Sequence, residues 1–347
     1  MKKVLKISGI VLAALLLLLL LSGGIALFYV DGMLDRMNYD TAYTTVTPEV
    51  AESIDQEEWV SVPSDSTGPV VDIGDINFPS DLPDMEEQGS HIVNIMLVGQ
   101  DARPGEPPQR SDSMILMTFN KATGEITLTS FLRDQYVQIP GYGKTKLCHA
   151  YSYGGMPLLN ETLYNHYGIE VDGNVTFSFE GFKEIIDMLG GVEITLTYEE
   201  ASALNNLESQ KKWGLKPGLQ RLTGEQALRY SRLRHIDSDF ERTERQRKVI
   251  MSVIDAYKNC SFTEMTEILN ETMPLITTNI PKERIYRYAL TMFPMIANAK
   301  IGSQRLPING TFQSGLIRVS EGYMASCQYN IDFAENRKYL EEFFDDD

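Results

Sequence analysis

The strongest hydrophobic feature lies near the start of the chain, where Ile7 to Val30 runs for 24 residues without a charge and includes the leucine run Leu15–Leu21. A helix rising about 1.5 Å per residue crosses a ~30 Å hydrocarbon core over such a length. Lys2, Lys3 and Lys6 stand before the run, and Asp31 and Asp35 after it. The positive-inside bias then predicts a cytoplasmic N-terminus (1–6), a single transmembrane helix (7–30) in the cell membrane, and an extracellular remainder. A cleaved signal peptide is the alternative, but its apolar core spans about 7–15 residues and ends in small residues. Here Ser22-Gly23-Gly24 falls inside the run.

Between 31 and 90 periodicity is absent, and Pro48, Pro63, Pro69, Pro79 and Pro83 are scattered among acids, as expected of an extended acidic extracellular stem or linker. From His91 the pattern changes. Ile92–Gly99 is a short apolar run ending in glycine, and Ser113–Phe119 and Glu125–Phe131 are two more, joined by Asn120–Gly124 in the manner of a hairpin. Helical spacing follows at Pro157–Tyr167 and Phe179–Leu189, the second stopped by Gly190-Gly191. Val192–Leu196 returns to strand, Thr223-Gly224-Glu225 opens a helix running to about Leu233, and Arg242–Tyr257 predicts a longer one. Strands alternating with helices predict an α/β fold, a layered α/β/α domain with a mixed central sheet over 91–257. Residues 258–347 are expected to form an extension that packs on this domain or continues it.

Charge sharpens the division. The net charge of the 347 residues is −17, but 31–87 holds 15 acids and one base, whereas 91–337 holds 28 acids and 26 bases. No broad basic face exists to displace counterions from nucleic acid, so nucleic acid is excluded as a partner. Three cysteines without CxxC spacing and four histidines without HExxH exclude a disulfide scaffold and a Cys- or His-based metal centre.

Two constellations point to chemistry. Asp101 follows the first apolar strand, Arg110 and Asp112 precede the second, and Arg133 and Asp134 follow the third. Strand ends converge at one rim of an α/β sheet, where ligands bind, although any one such charge also suits a surface salt bridge. The second constellation is Arg229, Arg232, Arg234, Arg242, Arg245, Arg247 and Lys248, interleaved with Asp237, Asp239, Glu241 and Glu244. A solvated, salt-bridged helix accounts for such a run, but the preference for arginine favours a phosphate-rich anion gripped by planar forks. Arg232 and Arg234 flank Leu233 and would face one side of an extended segment.

The stretch from Asn94 to about Lys248 resembles the LytR–CpsA–Psr family throughout. The matching blocks are Asn94–Asp101; Arg110-Ser111-Asp112-Ser113-Met114; Leu132-Arg133-Asp134 with Ile139-Pro140-Gly141; and His149–Gly155. Leu189–Val192, Leu222–Leu228, the Arg232-x-Arg234 pair and Asp239-x-x-Arg242-x-x-Arg245-Gln246 continue them in order. The resemblance implies a phosphotransferase-type ligase. It would move a phosphate-linked glycopolymer (teichoic acid, capsule or another secondary wall polymer) from an undecaprenyl pyrophosphate carrier to peptidoglycan outside a Gram-positive cell. It assigns Arg110, Arg133, Arg232, Arg234, Arg242 and Gln246 to the pyrophosphate, and Asp101 and Asp112 to Mg²⁺, or Mn²⁺ in its place. Asp239 is implied as general base, with Arg133 and Asp134 beside the reacting atoms. Gln100, Leu132 and Cys148 stand where the family commonly has Ser, Pro and Asn, and none of these removes a charged site residue. A lipid-pyrophosphate hydrolase with the same site, or a non-catalytic membrane-bound regulator, are the competing readings. His149 is expected to be structural, and Cys148 to pack beside it.

Overall fold

The computed structural model describes residues 30–39, 45–56, 59–61, 70–76, 89, 91–100, 111–206, 213–233, 239–296, 298–320 and 323–344. Fifteen strands are defined among them: β1 (Asn38–Tyr39), β2 (Val60–Ser61), β3 (Val70–Asp72), β4 (Ile92–Gln100), β5 (Ser111–Asn120), β6 (Glu125–Phe131), β7 (Tyr136–Ile139) and β8 (Gly143–Lys146), then β9 (Gly173–Ser178), β10 (Val192–Leu196), β11 (Gly218–Leu222), β12 (Ile276–Thr278), β13 (Ile301–Leu306), β14 (Gln313–Ser320) and β15 (Tyr323–Tyr329). The helices are α1 (Pro48–Gln56), α2 (Leu147–Tyr167), α3 (Phe179–Met188), α4 (Tyr198–Asn205), α5 (Gly224–Ser231), α6 (Asp239–Lys258), α7 (Phe262–Thr272), α8 (Lys282–Ile296) and α9 (Phe333–Phe344).

A seven-stranded sheet in the order β1-β12-β9-β4-β5-β6-β13 forms the centre. It is mixed: β1/β12, β9/β4 and β6/β13 run parallel, and the other pairs antiparallel. Alternation along β4 assigns its faces. Met96 and Val98 pack into the core beneath α2 and α9, while Val93, Ile95 and Leu97 pack against Ile285, Tyr288 and Met292 of α8. Helices therefore cover both faces, in three layers. The antiparallel pair of β10 and β11 carries a second core closed by Val249 and Val253 of α6, and β2-β15-β14-β3 form a small separate sheet.

Local sequence explains the helix starts. Thr197 with Glu200 and Thr223 with Gln226 form reciprocal capping boxes at α4 and α5, and Ser178 caps α3 by accepting from Gly181 N–H. In α2 the backbone leaves helical geometry at Gly154 and Gly155, the latter at φ 62°, which glycine adopts without Cβ strain. Pro157 follows in the first turn beyond this kink, where its missing N–H costs nothing.

The 31–90 region departs from the expected stem, whereas 258–347 takes one of its two expected forms and continues the domain. The described parts of 31–90 do not run as a free stem: β1 joins the central sheet, β2 and β3 pair with β15 and β14, and α1 packs on α2. Segments this short leave no periodic trace, and their partners lie more than 200 residues away in most cases. The 258–347 region supplies strands β12 and β13 to the central sheet, on either side of the strands read from the sequence. Among the described residues no helix is long and apolar enough to cross a membrane; 7–29 lie outside them.

Candidate functional site

The register brings the ends of β4 and β6 and the start of β5 to one rim. Gln100 pairs with Ser111 and Gly99 with Ser113, which leaves Asp112 as the extra residue of a β-bulge. Bulges next to active sites re-aim a residue that regular pairing would turn elsewhere. Asp101 follows Gln100 directly in the chain. Since β6 runs antiparallel to β5, with Ile115 opposite Ser130, Arg133 and Asp134 leave β6 at this same rim. Ser178, at the end of β9 opposite Gln100, turns there into α3. Asp101, Arg110 and Arg234 lie outside the described residues, as do the side chains of Asp112 and Asp239.

Arg133 is held in place from several directions. Its Nε lies 3.6 Å from Asp134 Oδ2, and Lys146 Nζ at the start of α2 lies 3.0 Å from Asp134 Oδ1. The backbone is fixed as well: Cys148 N–H donates to Arg133 O at 3.1 Å and Gln328 N–H to Asp134 O at 2.9 Å. Asp134 is thereby a carboxylate between two cations, an arrangement that orients Arg133.

The arginine-rich run separates into different tasks because the faces of α6 differ. Arg229 pairs with Glu225 at 2.8 Å and Lys248 with Glu244 at 2.7 Å, both on the surface. Arg245 points inward, donating to Leu233 O at 2.8 Å and lying 3.5 Å from Glu200. Arg247 Nε donates to Ser303 Oγ of β13 at 2.6 Å. Burial pulls its pKa down to about 10, with Glu244 opposing and Arg305 adding to the fall. Arg242 and Gln246 are one helical turn apart and share a third face, followed by Ile250. Arg242 is buried at 2% exposure, and Gln246 and Ile250 line a small cavity of about 50 Å³.

Arg232 completes that cavity. It caps α5 and is exposed, with its guanidinium carbon 4.5 Å from the centre of the Phe179 ring. Phe177, Phe179, Phe182 and Leu228 form the apolar wall. A planar cation stacked on an aromatic ring keeps its outward N–H groups available to an anion. An apolar wall bordered by such a cation suits an anionic head joined to an apolar group; at about 50 Å³ the slot admits the start of a hydrocarbon tail and does not enclose one.

One partnership left no signal in the sequence. Asp55 of α1 accepts from Tyr153 OH, from Thr145 Oγ at 3.0 Å and from the buried His149. Burial alone would lower the His149 pKa; the Cys148 sulfur and the Asp55 carboxylate reverse this and hold it up at about 10. Cys148 is a fully buried free thiol in the main core, and Cys327 is buried elsewhere. Replacing Cys148 by serine is therefore expected to cost about 1–3 kcal/mol of stability through an added buried hydroxyl, while turnover per folded molecule stays unchanged. Thermal melts and initial rates check both.

Among the described residues no group of three or more His, Cys, Asp or Glu side chains could hold a metal ion. The Asp101–Asp112 pair lies outside that set.

A sequence model of the LytR_cpsA_psr family matches residues 56–332. Over 218 residues the chain is 33% identical to the polyisoprenyl-teichoic acid–peptidoglycan teichoic acid transferase TagT of Bacillus subtilis strain 168, covering 62% of this chain and 67% of that protein. It is 34% identical over 254 residues to the corresponding transferase TagU of Enterococcus faecalis, covering 71% and 80%. Matches to the Bacillus relatives span about two thirds of those proteins' length, 67% for TagT and 63% for a Bacillus anthracis TagU. Among solved structures, the YwtF (TagT) protein with bound octaprenyl pyrophosphate lipid superposes with a TM-score of 0.56 at 26% identity, covering 74% of this chain and 92% of that one.

Proposed function

The chain belongs to the LytR_cpsA_psr family, and from that footing we propose that it is a transferase moving a phosphate-linked glycopolymer, such as a teichoic acid, from an undecaprenyl pyrophosphate carrier to peptidoglycan. The observation that carries this reading is the cavity bordered by Arg232 and Gln246, with its wall of Phe177, Phe179 and Phe182. A prenyl pyrophosphate joins the two chemistries that this surface offers. The relative with bound octaprenyl pyrophosphate supports the same ligand class.

In the proposed reaction a peptidoglycan hydroxyl attacks the phosphorus that bears the polymer. A new P–O bond forms to the acceptor, the pyrophosphate bridge breaks, and undecaprenyl phosphate leaves. Asp239, at the start of α6 one turn before Arg242, takes the hydroxyl proton. Arg133, fixed by Asp134 and Lys146, meets the charge that develops on the phosphate oxygens together with Arg110, Arg232, Arg234, Arg242 and Gln246. Mg²⁺, or Mn²⁺, is proposed to rest on Asp101 and Asp112, the second of which stands at the bulge where β5 begins to pair with the end of β4. Such an ion neutralises pyrophosphate oxygens when bound. The domain is proposed to stand outside the membrane behind the 7–30 span.

Purified protein incubated with a lipid-pyrophosphate-linked glycan and peptidoglycan oligomers tests this by mass spectrometry. A glycan–phosphate–peptidoglycan adduct is expected. Free phosphorylated glycan alone would indicate a hydrolase, and no product would remove the enzymatic reading. Asp112→Ala is expected to keep its fold and lose Mg²⁺-dependent turnover; normal metal-dependent rates in that variant would reassign the ligand.

A further inference from the structure

We propose that helix α8 lies in the headgroup layer of the bilayer, with Tyr286, Arg287 and Leu290 against lipid; this rests on the reading of 7–30 as a membrane span. Residues 30–34 are helical, and Met33 and Leu34 are buried in the domain at 6% and 5% exposure. Asp31 and Asp35 both face Lys282 of α8, and Tyr286 OH donates to Asp31 Oδ1 at 3.0 Å. Arg36 then donates to the backbone and side-chain oxygens of Asn270 at 3.1 and 2.6 Å, and Asn38 Nδ2 donates to Pro274 O at 2.8 Å. Next, β1 enters the central sheet beside β12. Among the described residues, the chain from 30 onward is therefore docked on the domain from its first turn.

That clasp fixes a distance. Asp31 to Asp35 covers about 6 Å of helix, and the polar layer on each side of a bilayer is about 5–8 Å thick. Lys282 and Tyr286, which hold these two aspartates, therefore stand at headgroup depth. Lys282, Tyr286 and Leu290 are spaced four apart and share one stripe of α8. The opposite stripe, with Ile285, Tyr288 and Met292, is committed to the core. Leu290 is 76% exposed, the largest exposure among the large hydrophobic residues of the described chain. Arg287 is exposed beside it. A tyrosine at the membrane–water interface, an arginine stem that snorkels to phosphate and a leucine reaching the acyl boundary are the side chains such a layer accepts. Around this stripe Lys282, Arg284 and Arg287 balance Asp31, Asp35 and the exposed Glu283, and Arg287 is the cation beside Leu290.

The test uses the full chain in phosphatidylcholine–phosphatidylglycerol vesicles. Cys260→Ser removes the partly exposed thiol, while Cys148 and Cys327 are buried. A spin label is placed through Leu290→Cys, or for comparison through Tyr198→Cys, whose native side chain is 72% exposed on α4. The label at 290 is expected to meet dissolved oxygen several-fold more readily than a water-soluble nickel chelate, with the reverse at 198. Adding Arg287→Glu is expected to shift the 290 label toward the aqueous value. An aqueous signature at 290 in protein that resists alkaline carbonate extraction would overturn the seat while leaving the span intact. Release of the protein by carbonate would overturn both, through the span itself.

Discussion

Arg232→Lys is expected to weaken binding of a prenyl-pyrophosphate donor by about tenfold to a few hundredfold with little change in melting temperature. A hydrogen bond to a charged partner contributes about 1.5–3 kcal/mol, and about 1.4 kcal/mol corresponds to a factor of ten. Lysine keeps the charge but loses the planar fork that meets two phosphate oxygens at once. It also loses the flat stack on Phe179 that holds the guanidinium over the cavity. Because Arg232 is exposed, its removal leaves little of the fold unsupported. Arg234→Lys is expected to act in the same direction. A purely structural arginine would behave in the opposite way, with a lower melting temperature and intact donor affinity. Calorimetric binding beside thermal melts separates the two outcomes.

Asp55→Ala is expected to cost about 3 kcal/mol of stability, since it strands the buried His149 without the half-buried carboxylate that pairs with it. Asp55 is the common acceptor for His149, Tyr153 and Thr145, and its removal strips α1 of its polar hold on α2. The pH dependence follows from the raised His149 pKa. The stabilisation is fully present below the ordinary histidine value of 6.5 and is lost as pH rises through about 10. The parent protein should therefore lose more stability between pH 7 and pH 10 than Asp55→Asn, which starts lower and declines less over that interval. Parallel slopes for the two proteins would show that His149 does not carry a proton in the fold.

The parts of the fold legible in the sequence are those in which one element alone carries the signal. β6 and β10 were recoverable residue for residue because their apolar pattern has clear turn chemistry at both ends. Pro157 marked the helix start that follows the Gly154-Gly155 kink, but the preceding turns of α2 from Leu147 were hidden by those glycines. β1, β2, β3 and β12 are two or three residues long and exist through distant partners, so no local period could reveal them. Near the candidate site, Arg133 and Asp134 stand out in the sequence because they end the apolar run of β6. The arginine run could not be divided from composition alone. Arg245 and Val249 lie one turn apart on the stripe that closes the β10–β11 core, which marks Arg245 as internal only once that core is known. Asp55 was one acid among many in an acidic stretch, and nothing in its neighbours pointed to His149.

In the proposed reaction one site takes both an anionic head and an apolar tail. The most direct test of this is a set of binding isotherms for octaprenyl pyrophosphate, octaprenyl alcohol and free pyrophosphate, measured on the same preparation with Mg²⁺ present. The prenyl pyrophosphate is expected to bind at least about a hundredfold more tightly than either fragment, and Arg232→Lys to erode this advantage. Free pyrophosphate binding as tightly as the lipid, or the alcohol binding as tightly as its pyrophosphate, would contradict it.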